Sequence, residues 1–494
     1  MGNRFITGME YNDNLTENEM PTHSTSGDKV FDLFIASGAS RQKGIEDIRW
    51  EVEQAWQVDK EKTLKVLFYA RDIDEGNGER RYFREALKYL LSKGSHTEEI
   101  VANLTKPENL VADIVRVDDL VYLATCLIGQ RLTRNANIDK IISFLFLMLE
   151  NKKNGNIVAK WMPRKNSQNQ RLVKYMRVNG QIETYSAYRR LITSKTEVVE
   201  QKMSKNEWDN INLEQVPSIA MKQYKRAFQR HSILQPFLEK VKAGEAKINA
   251  KRLTPFDIIH DLLINRNNNG LLRLADLQWQ NLKELNDLPA EYRALPIIDV
   301  SRSMTMPDFI PISMALGLGM FLAERNPNQV FRDYFITFSG KPQFQKIEGW
   351  NMYYKIINAL RANWNNTTNL EATFKLILKK ATKNQVPAEE MPTHLIIFSD
   401  MEFNYCVKNP EENAYQMIRS MYKAAGYQVP EIVFWNVDAS GENFPVKFDE
   451  SGALLLSGSS QNVMNIVLKQ VYENPVALMD EALSKDRYSH ISLA

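Results

Sequence analysis

The chain has 494 residues, 44% hydrophobic and 25% charged, with a formal net charge of +3. That length is too great for one ordinary core and points to at least two domains, each stable without metal or disulfide staples. The composition is that of a soluble globular protein, no apolar run approaches the roughly 18 residues of a membrane span, and the near-neutral charge means that nucleic-acid binding must rest on local clustering.

The first thirty residues are polar and aperiodic, which predicts a mobile or draped N-terminal arm over 1–30. "MGNRFITGMEYNDNLTENEM" has neither the basic start and apolar stretch of a signal peptide nor the hydroxyl residue of a myristoylation signal. Cys126 and Cys406 lie in separate apolar segments and read as buried free thiols, so a reducing, cytoplasmic location is expected (host cytoplasm for a virus-encoded chain). The glycosylation-like triplets at Asn14 and Asn365 then carry no meaning.

An all-α domain is predicted over 31–288. From Ile45 onward, segments such as "IEDIRWEVEQAWQVD", "EKTLKVLFYARDI" and "IDKIISFLFLMLEN" repeat apolar residues at three and four, and their connections carry Gly, Asn or Pro. Helices of this length on short loops suggest a HEAT-like solenoid or ring, although no sequence repeat is visible. After Pro289 short apolar runs, "ALPIIDV", "VFRDYFITFS", "THLIIFSD", "EIVFWNVD" and "ALLLSG", alternate with amphipathic helices. That alternation predicts a doubly wound α/β domain with parallel strands over 289–475, followed by a tail over 476–494. Function in such a sheet belongs at the carboxyl ends of the strands.

Asp299 closes "LPIIDV" and Asp400 closes "HLIIFSD", so both carboxylates should emerge at one sheet edge, near Ser301, Ser303 and the threonines Thr367 and Thr368 of "NWNNTTNLEA". Acids and hydroxyls without His or Cys form a hard oxygen set suited to Mg²⁺ or Mn²⁺ with retained waters. The plainer reading is ordinary loop polarity, because Asp-x-Ser-x-Ser alone is a weak signal.

"IIDVSRSM", "NTTNLEATFKLIL" and "LIIFSDMEF" resemble the three loops of a von Willebrand factor A domain with its metal-ion-dependent adhesion site (MIDAS), over Arg293 to about Glu473. By position the resemblance implies Asp299, Ser301 and Ser303 as first-loop ligands, Thr368 as the second-loop threonine with Thr367 as its alternative, and Asp400 as the third-loop aspartate. Arg302 departs from the small or apolar residue often found between the serines. "FYARDIDEGNGERRYFREALKYL", "AKWMPRKNS" and "EQKMSKNEWDNINLEQVPSIAMKQYKRAF" resemble an uncharacterised family of viruses, bacteria and plants that is similar to the Ro autoantigen. The Ro-type architecture joins a helical TROVE module, which binds RNA, to a von Willebrand A domain; likeness to Ro itself is distant and lies mostly in that architecture.

The residues bear on RNA independently. Between Lys160 and Arg230 fifteen basic residues face six acidic ones. They include Lys160, Arg164, Lys165, Arg171, Lys174, Arg177, Arg189, Arg190, Lys222, Lys225 and Arg226, interleaved with Trp161, Tyr175, Tyr185, Tyr188 and Tyr224. Cations for phosphates and aromatics for unpaired bases are how single strands are commonly held. The plainer reading is a solvated helix face over core aromatics.

"DIDEGNGERRYF" begins like a calcium loop, but Asn77 and Phe83 occupy positions that require Gly and Glu, so it reads as a helix connection. "GLGM" within a helix reads as a close-packing site, no phosphate-cradling loop occurs, and the histidines lack metal-ligand spacing. The leading expectation is a non-catalytic RNA-binding protein that takes structured RNA with an exposed single-stranded end, its A domain serving as clamp or partner platform. The alternative is an adaptor whose metal captures an acidic side chain of a protein partner. A metal-dependent nuclease or phosphoryl-transfer enzyme is the weaker third reading, with Glu402 as its one extra carboxylate.

Overall fold

The computed structural model describes residues 14–39, 43–152, 154–250, 252–265, 269–282, 293–338, 341–361, 369–404, 413–438, 443–460, 463–464 and 472–493. The chain divides into two compact units, one of Met1–Lys43, Pro217–Lys225 and Gln235–Ala482, the other of Gly44–Val216, Arg226–Leu234 and Leu483–Ala494.

The described chain begins with two short antiparallel strands, β1 (Asn14–Leu15) and β2 (Pro21–Thr22), and helix α1 (Lys29–Ala39). The second unit then runs through α2 (Ile45–Val58), α3 (Lys60–Arg71), α4 (Arg80–Lys93), α5 (Thr97–Leu104), α6 (Pro107–Val111), α7 (Val117–Leu127), α8 (Ala136–Leu149), α9 (Gly155–Trp161), α10 (Gln170–Val178), α11 (Tyr185–Lys195) and α12 (Val199–Ser204). Their ends follow the local sequence. Asp59 caps α3 by accepting from Lys62 N at 2.9 Å, Thr184 caps α11 by accepting from Ala187 N at 3.1 Å, and Gly94 ends α4 in the left-handed region at φ 80°. Neighbouring helices pack in turn, α3 on α4, α4 on α7 and α7 on α8, which buries Leu64, Phe68, Phe83, Leu87, Leu120 and Leu145.

Helix α13 (Ser218–Arg230) contributes to both units, and α14 (Leu234–Lys242), α15 (Pro255–Ile264) and α16 (Asn269–Gln280) lead into the sheet. Six strands follow: β3 (Ala294–Asp299), β4 (Tyr334–Phe338), β5 (Gln343–Lys346), β6 (His394–Ser399), β7 (Glu431–Asn436) and β8 (Ala453–Ser457), in the spatial order β5-β4-β3-β6-β7-β8. All pairs are parallel except β4 with β5. Helices α17 (Ile310–Glu324), α18 (Met352–Leu360), α19 (Leu370–Lys383), α20 (Ala414–Ala425), α21 (Pro475–Ser484) and α22 (Asp486–Ser489) complete the described elements. The central strands are apolar because both faces are covered; β3 and β6 are buried along their whole length. The "GLGM" stretch lies in α17, where a Cβ on Gly317 would stand 2.9 Å from Phe256 N and one on Gly319 2.5 Å from Ile298 Cδ1. Only glycine lets this helix approach both α15 and the sheet so closely.

The helical-then-α/β order follows the sequence expectation, while several segments differ from it. Residues 14–28 are not a free arm: Thr22 Oγ1 donates to Phe444 O at 2.9 Å, His23 bridges Phe444, and α1 packs on β8. Their polarity is spent on backbone partners rather than on water. Residues 31–39, 217–225 and 235–282 are expected in the helical domain, but they pack within the sheet unit, because helical periodicity does not reveal what an apolar face packs on. The tail from Leu483 joins the helical unit, where Tyr488 is buried and Arg487 pairs with Asp72. The antiparallel edge strand β5 escaped the sequence reading, since "QFQK" is short and polar. Cys126 is exposed at the last turn of α7 rather than buried, and Cys406 lies outside the described residues. No helix among the described residues is long and apolar enough to cross a membrane.

Candidate metal centre and basic face

Parallel pairing of β3 with β6, Ile298 opposite Phe398, brings the carboxyl ends of both strands side by side. Asp299 is fully buried there: its Oδ1 accepts from Ser301 N at 2.8 Å and its Oδ2 from the Ser399 hydroxyl at 2.7 Å. Ser301 and Ser303 hydroxyls lie 2.9 Å apart, and the Ser303 hydroxyl hydrogen-bonds the Asp400 carboxylate. Asp400 Oδ1 also accepts from Glu402 N at 3.1 Å. That last bond requires a sharp turn, made by Met401 at φ 65°, a region costing a non-glycine residue about 1 kcal/mol or more.

Among the described residues no cation pairs with either carboxylate, which makes the site electrostatically unfavourable for two charges. Burial, then the neighbouring Asp400 charge, pushes Asp299 up to about 7. Burial likewise raises Asp400, against the lowering effect of its hydrogen bonds. Glu402 rises to about 6, chiefly through burial. Both Glu402 oxygens are engaged, Oε2 by Glu17 N at 2.7 Å and Oε1 by Asn443 Nδ2 at 2.5 Å, so the N-terminal segment holds this third carboxylate in place. Thr16 Oγ1 adds a bond to Phe403 O at 2.6 Å.

The structure therefore gathers Asp299, Ser301, Ser303 and Asp400. Thr367 and Thr368 lie outside the described residues. No cluster of three or more His, Cys, Asp or Glu forms a metal-binding group among the described residues, so a cation here would depend on hydroxyl oxygens. The donor set fits a hard divalent ion: oxygen only, two acids, and a charge deficit that a dication would relieve. Sequence reasoning missed Ser399, Glu17 and Asn443; Ser399 was visible as the residue before Asp400, while the others come from distant segments with no motif.

The basic segment separates into residues that are engaged and residues that are not. Lys222 pairs with Asp257 at 2.7 Å, and Lys225, buried, pairs with Asp261, all within the sheet unit. These two cations are neutralised by acids of the same unit. Lys160 pairs with Glu200 at 2.7 Å, Arg164 reaches Ala159 O at 3.4 Å, and Arg171 bonds Gly129 O. Lys165 lies over the Tyr185 ring, 5.6 Å from its centroid, and Arg226 is exposed. Lys174 and Arg177 on α10 and Arg189 and Arg190 on α11 are exposed and have no ion-pair partner among the described residues. The interleaved aromatics are largely core: Tyr175 and Tyr188 are buried, their hydroxyls bonded to Asp139 at 2.9 Å and Pro163 O at 2.9 Å. Stacking of bases on those two rings is excluded.

The chain matches the family described as a domain of unknown function (DUF2828) over residues 16–123 and 134–288, and it belongs to that family. Residues 293–489 match a second domain of unknown function (DUF7788). Over 508 aligned residues the chain is 26% identical to the uncharacterised protein L728 of Acanthamoeba polyphaga mimivirus, covering 94% of this chain and 86% of that protein.

Proposed function

We propose that this protein is a non-catalytic RNA-binding protein of Ro-like organisation. Its helical unit holds RNA through the cationic faces of α10 and α11, and its α/β unit is a von Willebrand A-like platform with a divalent-metal site. The observation that carries the reading is the set Lys174, Arg177, Arg189 and Arg190, exposed on two successive helices with no ion-pair partner among the described residues. Exposed cations gathered on neighbouring helices raise the local positive potential, which attracts a polyanion such as RNA. Structured RNAs with a single-stranded end are the preferred class, because unpaired segments can follow a helical groove that a rigid duplex cannot enter.

At the sheet edge Mg²⁺ or Mn²⁺ would be held by Ser301, Ser303 and Thr368 or Thr367, with Asp299 and Asp400 behind them. A bound cation would supply an open coordination position for an acidic oxygen. The oxygen-only cluster also favours a second reading, an adaptor that captures a partner protein's carboxylate through the metal. Isolation at low salt without nuclease tests the choice. The proposal expects RNA to accompany the protein and to be released by high salt; protein free of RNA, and unable to bind added single strands at low salt, leaves the adaptor reading.

A further inference from the structure

The N-terminal segment grips the turn behind Asp400 without supplying a ligand to the candidate metal centre. Residues 14–22 form a tight hairpin, β1 against β2, closed by Thr16 N donating to Met20 O at 2.9 Å and seated by Met20, which is fully buried. The hairpin lies along the chain that leaves β6, within the same compact unit. Glu17 N donates to Glu402 Oε2 at 2.7 Å, Asn18 Nδ2 donates to Glu402 O at 2.8 Å, Thr16 Oγ1 donates to Phe403 O at 2.6 Å, and Glu19 bridges Asn404 in antiparallel register. Each residue from Thr16 to Glu19 therefore holds Glu402, Phe403 or Asn404.

Glu402 is where this grip meets the carboxylates. Its N–H donates to Asp400 Oδ1 at 3.1 Å, so the placement of the Glu402 backbone sets the direction of the Asp400 carboxylate. Met401 between them stands at φ 65°, a left-handed backbone that a non-glycine residue keeps only when its surroundings hold it there. Within the turn, Met401 N donates to the Ser399 hydroxyl at 3.1 Å. The hairpin adds three hydrogen bonds to the two residues that follow, and Asn443 Nδ2 adds one to Glu402 Oε1. Both carboxylate oxygens of Glu402 are thus engaged in fixing the turn, and outer contacts of this kind orient metal ligands and tune cation affinity.

We infer that Glu402 is a positioning residue for the cation site at Asp299, Ser301, Ser303 and Asp400, and that the 14–22 hairpin belongs to that site, acting on it through Glu402. The inference rests on the metal-site reading of the sheet edge and adds a coupling that the reading does not contain. Coupling between two equilibria is reciprocal. A hairpin that favours the oriented Asp400 raises cation affinity, and the hairpin detaches less readily, by the same factor, when the cation is bound. Anything that lifts the hairpin off Glu402 and Phe403 therefore weakens cation binding.

The test is Mn²⁺ binding, followed by the electron paramagnetic resonance of the free ion, with the full-length wild type, Thr16→Ala/Asn18→Ala, Glu402→Gln and Glu402→Ala. Hydrogen exchange of peptides covering residues 14–22, with and without Mn²⁺, is measured alongside. Thr16→Ala/Asn18→Ala removes two bonds to the turn and no charge, and should weaken Mn²⁺ binding by about tenfold or more, the usual cost of losing an outer contact to a metal ligand. Glu402→Gln keeps an acceptor for Glu17 N and should stay nearer to wild type than Glu402→Ala. In wild type Mn²⁺ should slow exchange in the hairpin, and Asp299→Ala should abolish that slowing. Unchanged affinity in Thr16→Ala/Asn18→Ala, or an equal loss in Glu402→Gln and Glu402→Ala, which makes the effect one of charge alone, overturns this inference and leaves the metal site standing. Hairpin exchange that saturating Mn²⁺ leaves unchanged in wild type also overturns it, and requires no variant to fold. Wild type that binds no Mn²⁺ removes the metal-site reading, and this inference with it.

Discussion

The Ser399 hydroxyl donates to Asp299 Oδ2 at 2.7 Å, joining residues one hundred positions apart at the ends of two adjacent strands. Ser399 also accepts from Met401 N at 3.1 Å, so one hydroxyl ties the first-loop aspartate to the turn that aims Asp400. Replacing Ser399 by Ala leaves a buried carboxylate oxygen and a buried amide without this partner. The expected loss is about 1–3 kcal/mol of unfolding free energy, read from urea titration without divalent ions, together with a weaker response to Mg²⁺.

Asp299→Ala should remove stabilisation by Mg²⁺ or Mn²⁺, because a ligand that binds only the folded state raises its stability by mass action. Thermal melts with and without the ion measure it. Equal shifts in wild type and variant would show that the carboxylates hold no cation.

The pH dependence of that shift has a definite sign. Asp299 is raised from 3.8 to about 7 and Glu402 from 4.5 to about 6. The folded state therefore binds more protons than the unfolded state between those limits, and metal-free stability falls as pH rises through that window. A dication favours the ionised carboxylates, so the Mg²⁺-induced shift should be larger near pH 8 than near pH 6, to the extent that proton release limits binding. A shift that grows on acidification would contradict this electrostatic account.

In the helical unit, Arg487 Nε approaches Asp72 Oδ2 at 2.7 Å, its Nη1 approaches Glu75 Oε1 at 2.6 Å, and the Tyr488 hydroxyl donates to Asp72 at 2.6 Å. Asp72 is fully buried, and burial raises its carboxyl. Arg487→Ala should cost about 3–5 kcal/mol near neutral pH by stranding that charge, and the loss should shrink on acidification as Asp72 becomes protonated. Arg487→Lys should restore only part, since the planar fork serves both acids. Chemical denaturation measures each variant.

Much of this was legible in the sequence, and the exceptions have physical causes. Helical periodicity from Ile45 and the apolar runs ending in Asp299 and Asp400 identified the two kinds of architecture, because period and burial are local properties of the chain. The same "DIDEGNGERRYF" stretch that fails as a calcium loop is a connection in which Gly76 lies so close that a Cβ would stand 1.9 Å from Tyr69 O. What escaped was pairing at long range: Glu17 with Glu402, the tail's Arg487 with Asp72, and Lys225 with Asp261. Composition shows that Lys225 is basic, but not that an acid 36 positions later neutralises it. The basic segment therefore overstated the available charge, and Tyr175 and Tyr188 looked like stacking rings although they fill the core.

The most direct measurement is RNA affinity as a function of salt for wild type, Arg189→Glu/Arg190→Glu and Asp400→Ala. Each phosphate contact releases condensed counterion, so the logarithmic slope should be about 0.7 per contact for a single strand. The account predicts a steep wild-type slope, a shallower slope with weaker binding after the charge reversal, and nearly unchanged binding in Asp400→Ala, because phosphate contacts on α10 and α11 do not require the metal. Binding that survives the charge reversal and vanishes with Asp400→Ala would contradict it.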